Sequence, residues 1–317
     1  MCLYLQHMSS LIKQRTIKKE ISLHGISLHT GQDTKLKILP SKENTGIQFI
    51  RTDLKRNNII KARWDNVTDT KMCTVISNKY GVKVATIEHL IAAIASLQIN
   101  NLIIEIDGSE VPILDGSSKQ FFSELENAGT SNQNENQKFI KILKNFKLKS
   151  KHTYTSLSPS KNNLKISFNI NFEHPLIKKE NYHIEINKNN FKNKIASART
   201  FGFKNEHEKL KKLGLANGAS LKNCVVINGN KILNKNGLRY ENEFVRHKVL
   251  DVCGDLYLAG YPILGHFEGY QSGHYLNNQL LRKLFQNKSA FTMVNKSLKQ
   301  KEETNIIAMP LANKIAS

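Results

Sequence analysis

Acidic residues are scarce in this chain. Its 317 residues include 26 Asp and Glu against 47 Lys and Arg, a formal net charge of +21. An excess of that size points either to an anionic partner (nucleic acid, a nucleotide, a membrane surface) or to compositional drift. Distribution favours drift. Lys and Asn are dispersed through stretches such as QNENQKFIKILKNFKLKSK and KNNFKNK, with no aromatic residues interleaved as a stacking platform requires. No nucleic-acid partner is expected. Cysteine is also sparse: Cys2, Cys73, Cys224 and Cys253 are scattered, with no CxxC pair. That fits reduced thiols in a cytosol better than a disulfide scaffold. No apolar run is long enough to span a bilayer, so no integral membrane segment is expected. The opening MCLYLQHMSSLIKQRTIKKE lacks the basic start, long apolar stretch and cleavage site of a signal peptide. The expected location is the cytoplasm, and Met8 is a second candidate start.

What is present can fold. Hydrophobic content is 39%, and the length allows two domains with a sizeable core in each. After an extension over 1–13, short alternating segments read as strands: TIKKEISLHGISLH, TKLKILPSK and TGIQFIRTDL. KMCTVISN and VKVATI read as a hairpin about Tyr80-Gly81. TIEHLIAAIASLQ has helical period, with Thr86 as its expected N-cap. NLIIEIDG is a strand, and LDGSSKQFFSELENAG a second helix with Asp115 as its expected cap. The polar stretch 129–138 reads as a linker. The pattern then restarts, with strands near 139–149, 152–158, 164–172 and 181–187, a helix-like 206–213, and the strand KNCVVING. Helices at 241–259 and 276–286 follow, and the end of the chain is expected to be peripheral. The expected class is α+β, with domains at 14–128 and 139–290, each a sheet layered with helices, and a tail over 291–317.

FVRHKVLDVCGDLY poses the chemical question. His247, Asp251 and Asp255 recur every four residues, a spacing that stacks side chains on one helix face with Cβ atoms about 5–6 Å apart. A histidine–carboxylate hydrogen bond is the ordinary explanation; a shared metal ion is the sharper one. Two other segments bear on the choice. Glu88-His89 interrupts an otherwise apolar helix, and GYQSGHYLNN places His274 just before the last helix. Together these residues make a chemically complete set for hydrolysis. A catalytic zinc ion takes three protein ligands and leaves one position open. His89, His247 and Asp251 give that count. Glu88 is then available as general base, and His274 as the acid that protonates a leaving amine, oriented by Asp255. Lys248 and Thr200 are candidates to meet the developing oxyanion.

These same stretches resemble the zinc-dependent UDP-3-O-acyl-N-acetylglucosamine deacetylases of lipid A biosynthesis in Gram-negative bacteria. The matching segments are QRTIKKEISLHGISLHTG, NTGIQFIRTDL, VATIEHLIAAIASLQINNLIIEIDGSEVPILDGS, SARTFGF, EFVRHKVLDVCGDLYLAG and SGHYLNN, in family order from about residue 14 to 286. The resemblance implies two domains of similar topology with the active site between them. It implies one Zn²⁺ per chain on His89, His247 and Asp251, though such a set can also take Fe²⁺. Glu88 falls on the family's general base and His274, partnered by Asp255, on its second catalytic histidine. Lys248 and Thr200 match residues that bind and polarise the substrate, Phe201 one near the sugar, and Phe172 an aromatic that stacks on uracil. The acyl chain is expected in a passage formed by an insert at about 203–226.

Two positions depart from the family pattern. Gly218 is followed by Ala219 where the family has a second glycine, which suggests a shorter or shifted acyl chain. Gln271 stands where a basic residue faces the diphosphate, which suggests weaker substrate binding. A monomer acting on a small-molecule substrate is expected. Two other readings are weaker. A zinc peptidase would more typically carry HExxH on one helix, and an RNA-binding relict would not keep five catalytic-type residues.

Overall fold

A computed structural model describes residues 11–297. The first large sheet orders its strands Ile21–Ile26, Asp33–Pro40, Leu102–Ile106, Ile47–Arg51, Ile59–Lys61. The second orders Phe146–Ser150, Thr153–Ser158, His266–Tyr270, Lys165–Asn171, Lys179–Glu185. In each sheet the last strand in sequence is inserted at the centre. It runs antiparallel to the second strand and parallel to the third. The two halves therefore share one topology. Their strands alternate inward apolar and outward polar residues. In DTKLKILP the buried positions are Thr34, Leu36 and Ile38, and in KISFNIN they are Ile166, Phe168 and Ile170.

Among the described residues six α-helices complete the fold: α1 (Glu88–Ser96), α2 (Lys119–Ala128), α3 (Lys188–Lys194), α4 (Lys204–Lys212), α5 (Glu243–Tyr257) and α6 (His274–Gln286). The duplication extends to them. In the first half the order is α1, central strand, α2; in the second it is α5, central strand, α6. Both α1 and α5 are buried almost all round. A helix without a solvent face belongs inside a core, and α1 packs directly on α5. Their apolar residues join the inward faces of both sheets in one continuous cluster. Among the described residues no helix is long and apolar enough to cross a membrane.

Each half carries a small three-stranded insert at the same topological place, before its buried helix. These are Val67–Asp69, Val75–Ser77, Lys83–Val84 and Phe201–Phe203, Val225–Asn228, Lys231–Ile232.

Several expectations need correction. The stretch 129–138 is not a free linker: Thr130–Asn136 is a strand paired antiparallel with Lys13–Ile17. Its polar side chains hid it, because they serve hydrogen bonds rather than burial, as in Asn101 Nδ2 to Gln133 Oε1 at 2.7 Å. Likewise the tail does not begin at 291, since Phe291–Asn295 pairs with Lys138–Ile142 and buries Val294. The expected extension and tail otherwise lie largely outside the described residues. α3 was not expected: only Phe191 of KNNFKNK is buried, and Asn187 caps the helix by accepting from Asn190 N at 2.9 Å.

Neither expected cap operates. Thr86 has φ 56° and gives its hydroxyl to the buried Glu110 at 2.8 Å, and α1 starts two residues later. Asp115 accepts from Ser117 and Arg239, ahead of α2.

Candidate metal centre and active site

The α1–α5 contact is unusually close. A Cβ built on Gly254 would lie 2.2 Å from the Glu88 carbonyl oxygen. A mid-helix glycine costs roughly 1 kcal/mol relative to alanine, and here it lets the first turn of α1 rest on the backbone of α5. The contact brings Glu88 and His89 from one half against His247, Asp251 and Asp255 of the other.

His89, His247 and Asp251 are all buried, and one ligand-type atom from each lies within 4.8 Å of the others. Asp251 Oδ1 is 3.7 Å from His89 Nε2 and 3.4 Å from His247 Nε2. Tetrahedral bonds of about 2.0–2.1 Å set ligand atoms about 3.3–3.4 Å apart. Asp251 Oδ1, the oxygen that faces both imidazole Nε2 atoms, is buried without a hydrogen-bond partner among the described residues, a costly state for a polar atom unless something else binds there. His247 Nδ1 donates to the Ala198 carbonyl at 3.1 Å, leaving the Nε2 lone pair for a ligand. The outer oxygen of Asp251 accepts from Lys248 Nζ at 2.9 Å. The donor set and its spacing fit a divalent ion.

Electrostatics agree with ligand chemistry. Burial pushes the His89 imidazole down to about 3, helped by His247. Burial also lowers His247, against the pull of Asp251. Both rings are therefore neutral, as metal ligands require. Burial raises the Asp251 carboxyl, but His247, Lys248 and His274 outweigh it and hold the group well below the usual carboxylate range.

Beside this cluster, Glu88 Oε1 lies 3.8 Å from His274 Nε2. Burial raises Glu88 to about 7, against the attraction of His274. His274 stands at the first turn of α6 and gives Nδ1–H to Asp255 Oδ2 at 2.8 Å. Burial lowers this histidine, but Asp255 and Glu88 outweigh that and raise it to about 10. A carboxyl raised towards neutrality by burial thus faces an imidazole that Asp255 holds in its charged form.

The remaining expected residues are placed as follows. Phe201 sits against the cluster, its ring 6.4 Å from His247 and 4.9 Å from Phe244, and Phe172 meets it edge-on at 6.0 Å. Lys248 Nζ lies 5.8 Å from the Phe201 ring centre. Thr200 follows the Ala198 segment that orients His247, its backbone bonded to Gly116 and Val225. Gln271 has φ 48° and turns its amide onto the Asn171 carbonyl. Gly218 is pinned by its backbone N–H to Leu28 O at 3.0 Å, and a Cβ there would lie 2.2 Å from Ser27 O. Ala219, next to it, is half-buried. A cavity of about 580 Å³ opens beside this insert, its lining mixing the apolar Met72, Val75 and Leu215 and the thiol Cys73 with the charged Asp69 and Lys71.

Sequence reasoning missed three supporting residues. Gly254 had a signal, being a glycine inside a functional helix. Ala198 and Asn277, which bonds Asp255 Oδ2 at 2.9 Å, had none, because their roles depend on contacts made across the fold.

Comparison with known proteins gives a consistent result. The family described as UDP-3-O-acyl N-acetylglycosamine deacetylase matches residues 14–286. Similar proteins include the UDP-3-O-acyl-N-acetylglucosamine deacetylases of Haemophilus ducreyi (strain 35000HP / ATCC 700724) and Pasteurella multocida (strain Pm70). The first is 45% identical over 286 residues, covering 90% of this chain and 94% of its own. The second is 44% identical over 292 residues, covering 92% and 95%. The protein of Actinobacillus pleuropneumoniae serotype 3 (strain JL03) is 43% identical over 286 residues, 90% of this chain and 94% of its own. With the match spanning both halves and every element of the site, this chain belongs to the UDP-3-O-acyl-N-acetylglucosamine deacetylase family.

Proposed function

We propose that the chain hydrolyses the N-acetyl group of UDP-3-O-acyl-N-acetylglucosamine, releasing acetate and the free amine, as an early step of lipid A biosynthesis in the cytoplasm. The observation that carries the reading is the convergence of His89, His247 and Asp251 beside an opposed Glu88–His274 pair. Zn²⁺ is the proposed resident ion, one per chain; Fe²⁺ would satisfy the same donors. When bound, it polarises the amide carbonyl and makes water more acidic.

The chain's own residues do the rest. Glu88 accepts a proton from the attacking water. His274 delivers a proton from Nε2 to the departing amine nitrogen as the C–N bond breaks. Asp255 holds the His274 ring by its Nδ1. Lys248 and Thr200 stabilise the negative charge that develops on the carbonyl oxygen. Phe201 packs against the sugar and Phe172 against the base. The cavity beside the insert supports the acyl part of the reading, because its wall at Cys73 adjoins Thr74, which hydrogen-bonds Glu88. The protein acts as a monomer in this reading.

The test is acetate release by metal-quantified protein, wild type beside Glu88→Ala. The expected result is activity with about one zinc per chain, lost in the variant while the zinc stays. Full activity in the variant, or bound zinc without deacetylation by the wild type, would overturn the reading.

A further inference from the structure

Thr74 touches both halves of the proton-transfer machinery. Its backbone N–H donates to Glu88 Oε2 at 3.1 Å, and its hydroxyl donates to Asp255 Oδ1 at 2.6 Å. It precedes the strand Val75–Ser77 in the first-half insert, and it is 1% exposed. Asp255 belongs to α5 in the other half, where its Oδ2 receives His274 Nδ1 at 2.8 Å and Asn277 Nδ2 at 2.9 Å. Among the described residues, Thr74 is the one first-half side chain that bonds this carboxylate.

We propose that Thr74 is a positioning residue that couples the proton acceptor to the proton donor across the two halves of the protein. The inference rests on the reading of Glu88 as base and His274 as acid. By binding Oε2, the Thr74 N–H fixes the Glu88 carboxylate so that Oε1 is the oxygen turned towards His274, at 3.8 Å. Through its hydroxyl, Thr74 anchors the Asp255 oxygen that His274 does not use, so the carboxylate cannot rotate and carry the imidazole with it. One short segment thereby sets both the orientation of each group and the gap between them. That gap is longer than a hydrogen bond, which suits groups that act on a substrate held between them.

Threonine fits this task. A β-branched side chain has few χ1 choices, so the hydroxyl direction is set once the backbone is set. Serine keeps the donor but loses the γ-methyl that restricts it. Valine keeps the shape and loses the donor.

The experiment compares Thr74→Val and Thr74→Ser with Glu88→Ala, reading kcat, KM, the pH profile of kcat and thermal stability. In Thr74→Val the backbone bond to Glu88 persists and the charge-assisted bond to Asp255 is gone. The expected result is a fall in kcat of about tenfold or more, the scale of a lost bond to a charged group. KM should stay within about twofold, because substrate binding is untouched. The basic limb of the pH profile should move to lower pH, since a loosened Asp255 holds the His274 imidazolium less well. Thr74→Ser should recover most of kcat and restore the limb.

Wild-type kcat and pH profile in Thr74→Val would overturn the proposal. So would equal losses in the Val and Ser variants accompanied by equal losses of thermal stability, because that pattern belongs to packing alone. Should Thr74→Val not fold, Thr74→Ala beside Thr74→Ser carries the same comparison, with the limb moved in the first and kept in the second. Activity surviving in Glu88→Ala would instead overturn the underlying assignment of the base, whatever Thr74 does.

Discussion

Replacing Gly254 by alanine would separate packing from helix propensity at the heart of the site. The substitution adds one methyl group to the middle of α5. Propensity alone favours it by roughly 1 kcal/mol. The contacts oppose it: the new Cβ would lie 2.2 Å from the Glu88 oxygen, 2.9 Å from its carbonyl carbon and 3.0 Å from its Cα. Those atoms are backbone, so no side-chain rotation relieves them. Reaching ordinary van der Waals distance of 3.4–4 Å requires α1 and α5 to part by roughly 1 Å at this point. Overpacking of this kind costs about 1–3 kcal/mol, so the net loss of stability is modest, on the order of 1 kcal/mol after the propensity gain. Function should suffer far more. Glu88 and His89 ride on the displaced turn, and metal geometry tolerates only about 0.2 Å. A 1 Å misplacement of a catalytic group costs on the order of 100-fold in rate. The assay is zinc retained after dialysis against a weak chelator, together with kcat/KM and a melting curve. The expected result is reduced zinc occupancy and a fall in kcat/KM of about 100-fold, with the melting temperature lowered by only a few degrees. Wild-type zinc retention and kcat/KM within about twofold would falsify the claim that the α1–α5 approach sets the site.

Four further outcomes are expected. Glu243, fully buried, accepts from Arg199 N and Nε at 2.9 Å, from Arg199 Nη2 at 3.0 Å and from Arg239 N at 2.6 Å, so Glu243→Gln strands a buried guanidinium. Urea unfolding should show a loss of about 3–5 kcal/mol; a loss under 1 kcal/mol would contradict this. Glu180 is raised to about 7 by burial, against its bond from Val245 N at 3.0 Å. Because the folded value exceeds the unfolded one, its stability contribution is fully present below about pH 4.5 and is lost as pH rises through 7. Melting temperatures should therefore favour Glu180→Gln over wild type at pH 8 and show little difference at pH 4. Gln271→Lys should lower KM about tenfold by restoring a charge-assisted contact, with kcat nearly unchanged; an unaltered KM would refute the diphosphate reading. Substrates of graded acyl length should show Ala219→Gly shifting the optimum towards longer chains, and identical profiles would mean that Ala219 merely repacks.

Much of the site was legible because chemistry clusters in sequence here. The four-residue spacing of His247, Asp251 and Asp255 survives translation into a helix face, and α5 runs over Glu243–Tyr257. The expected strands 152–158 and 164–172 correspond closely to Thr153–Ser158 and Lys165–Asn171, because their apolar and polar residues alternate with the pleat. Where that signal was missing, the reading failed. Thr130–Asn136 has no apolar face to announce a strand. Thr86 has the residue type of an N-cap, yet its hydroxyl joins the His29 and Thr30 N–H groups in solvating the buried Glu110 carboxylate instead.

By itself, the sequence determined the class of the fold, the residue types available for hydrolysis and the family to which the chain belongs. These depend on local periodicity and on which side chains exist. Tertiary structure alone decided which atoms face one another. The duplicated halves, without a convincing sequence repeat, are related through strand order. Asp251 Oδ1 faces two histidine nitrogens only because Gly254 admits α1 onto α5. Thr74 gains meaning only beside Asp255, 181 residues away in the chain. A contact across such a separation is set by the packing of the whole core, which no local pattern encodes.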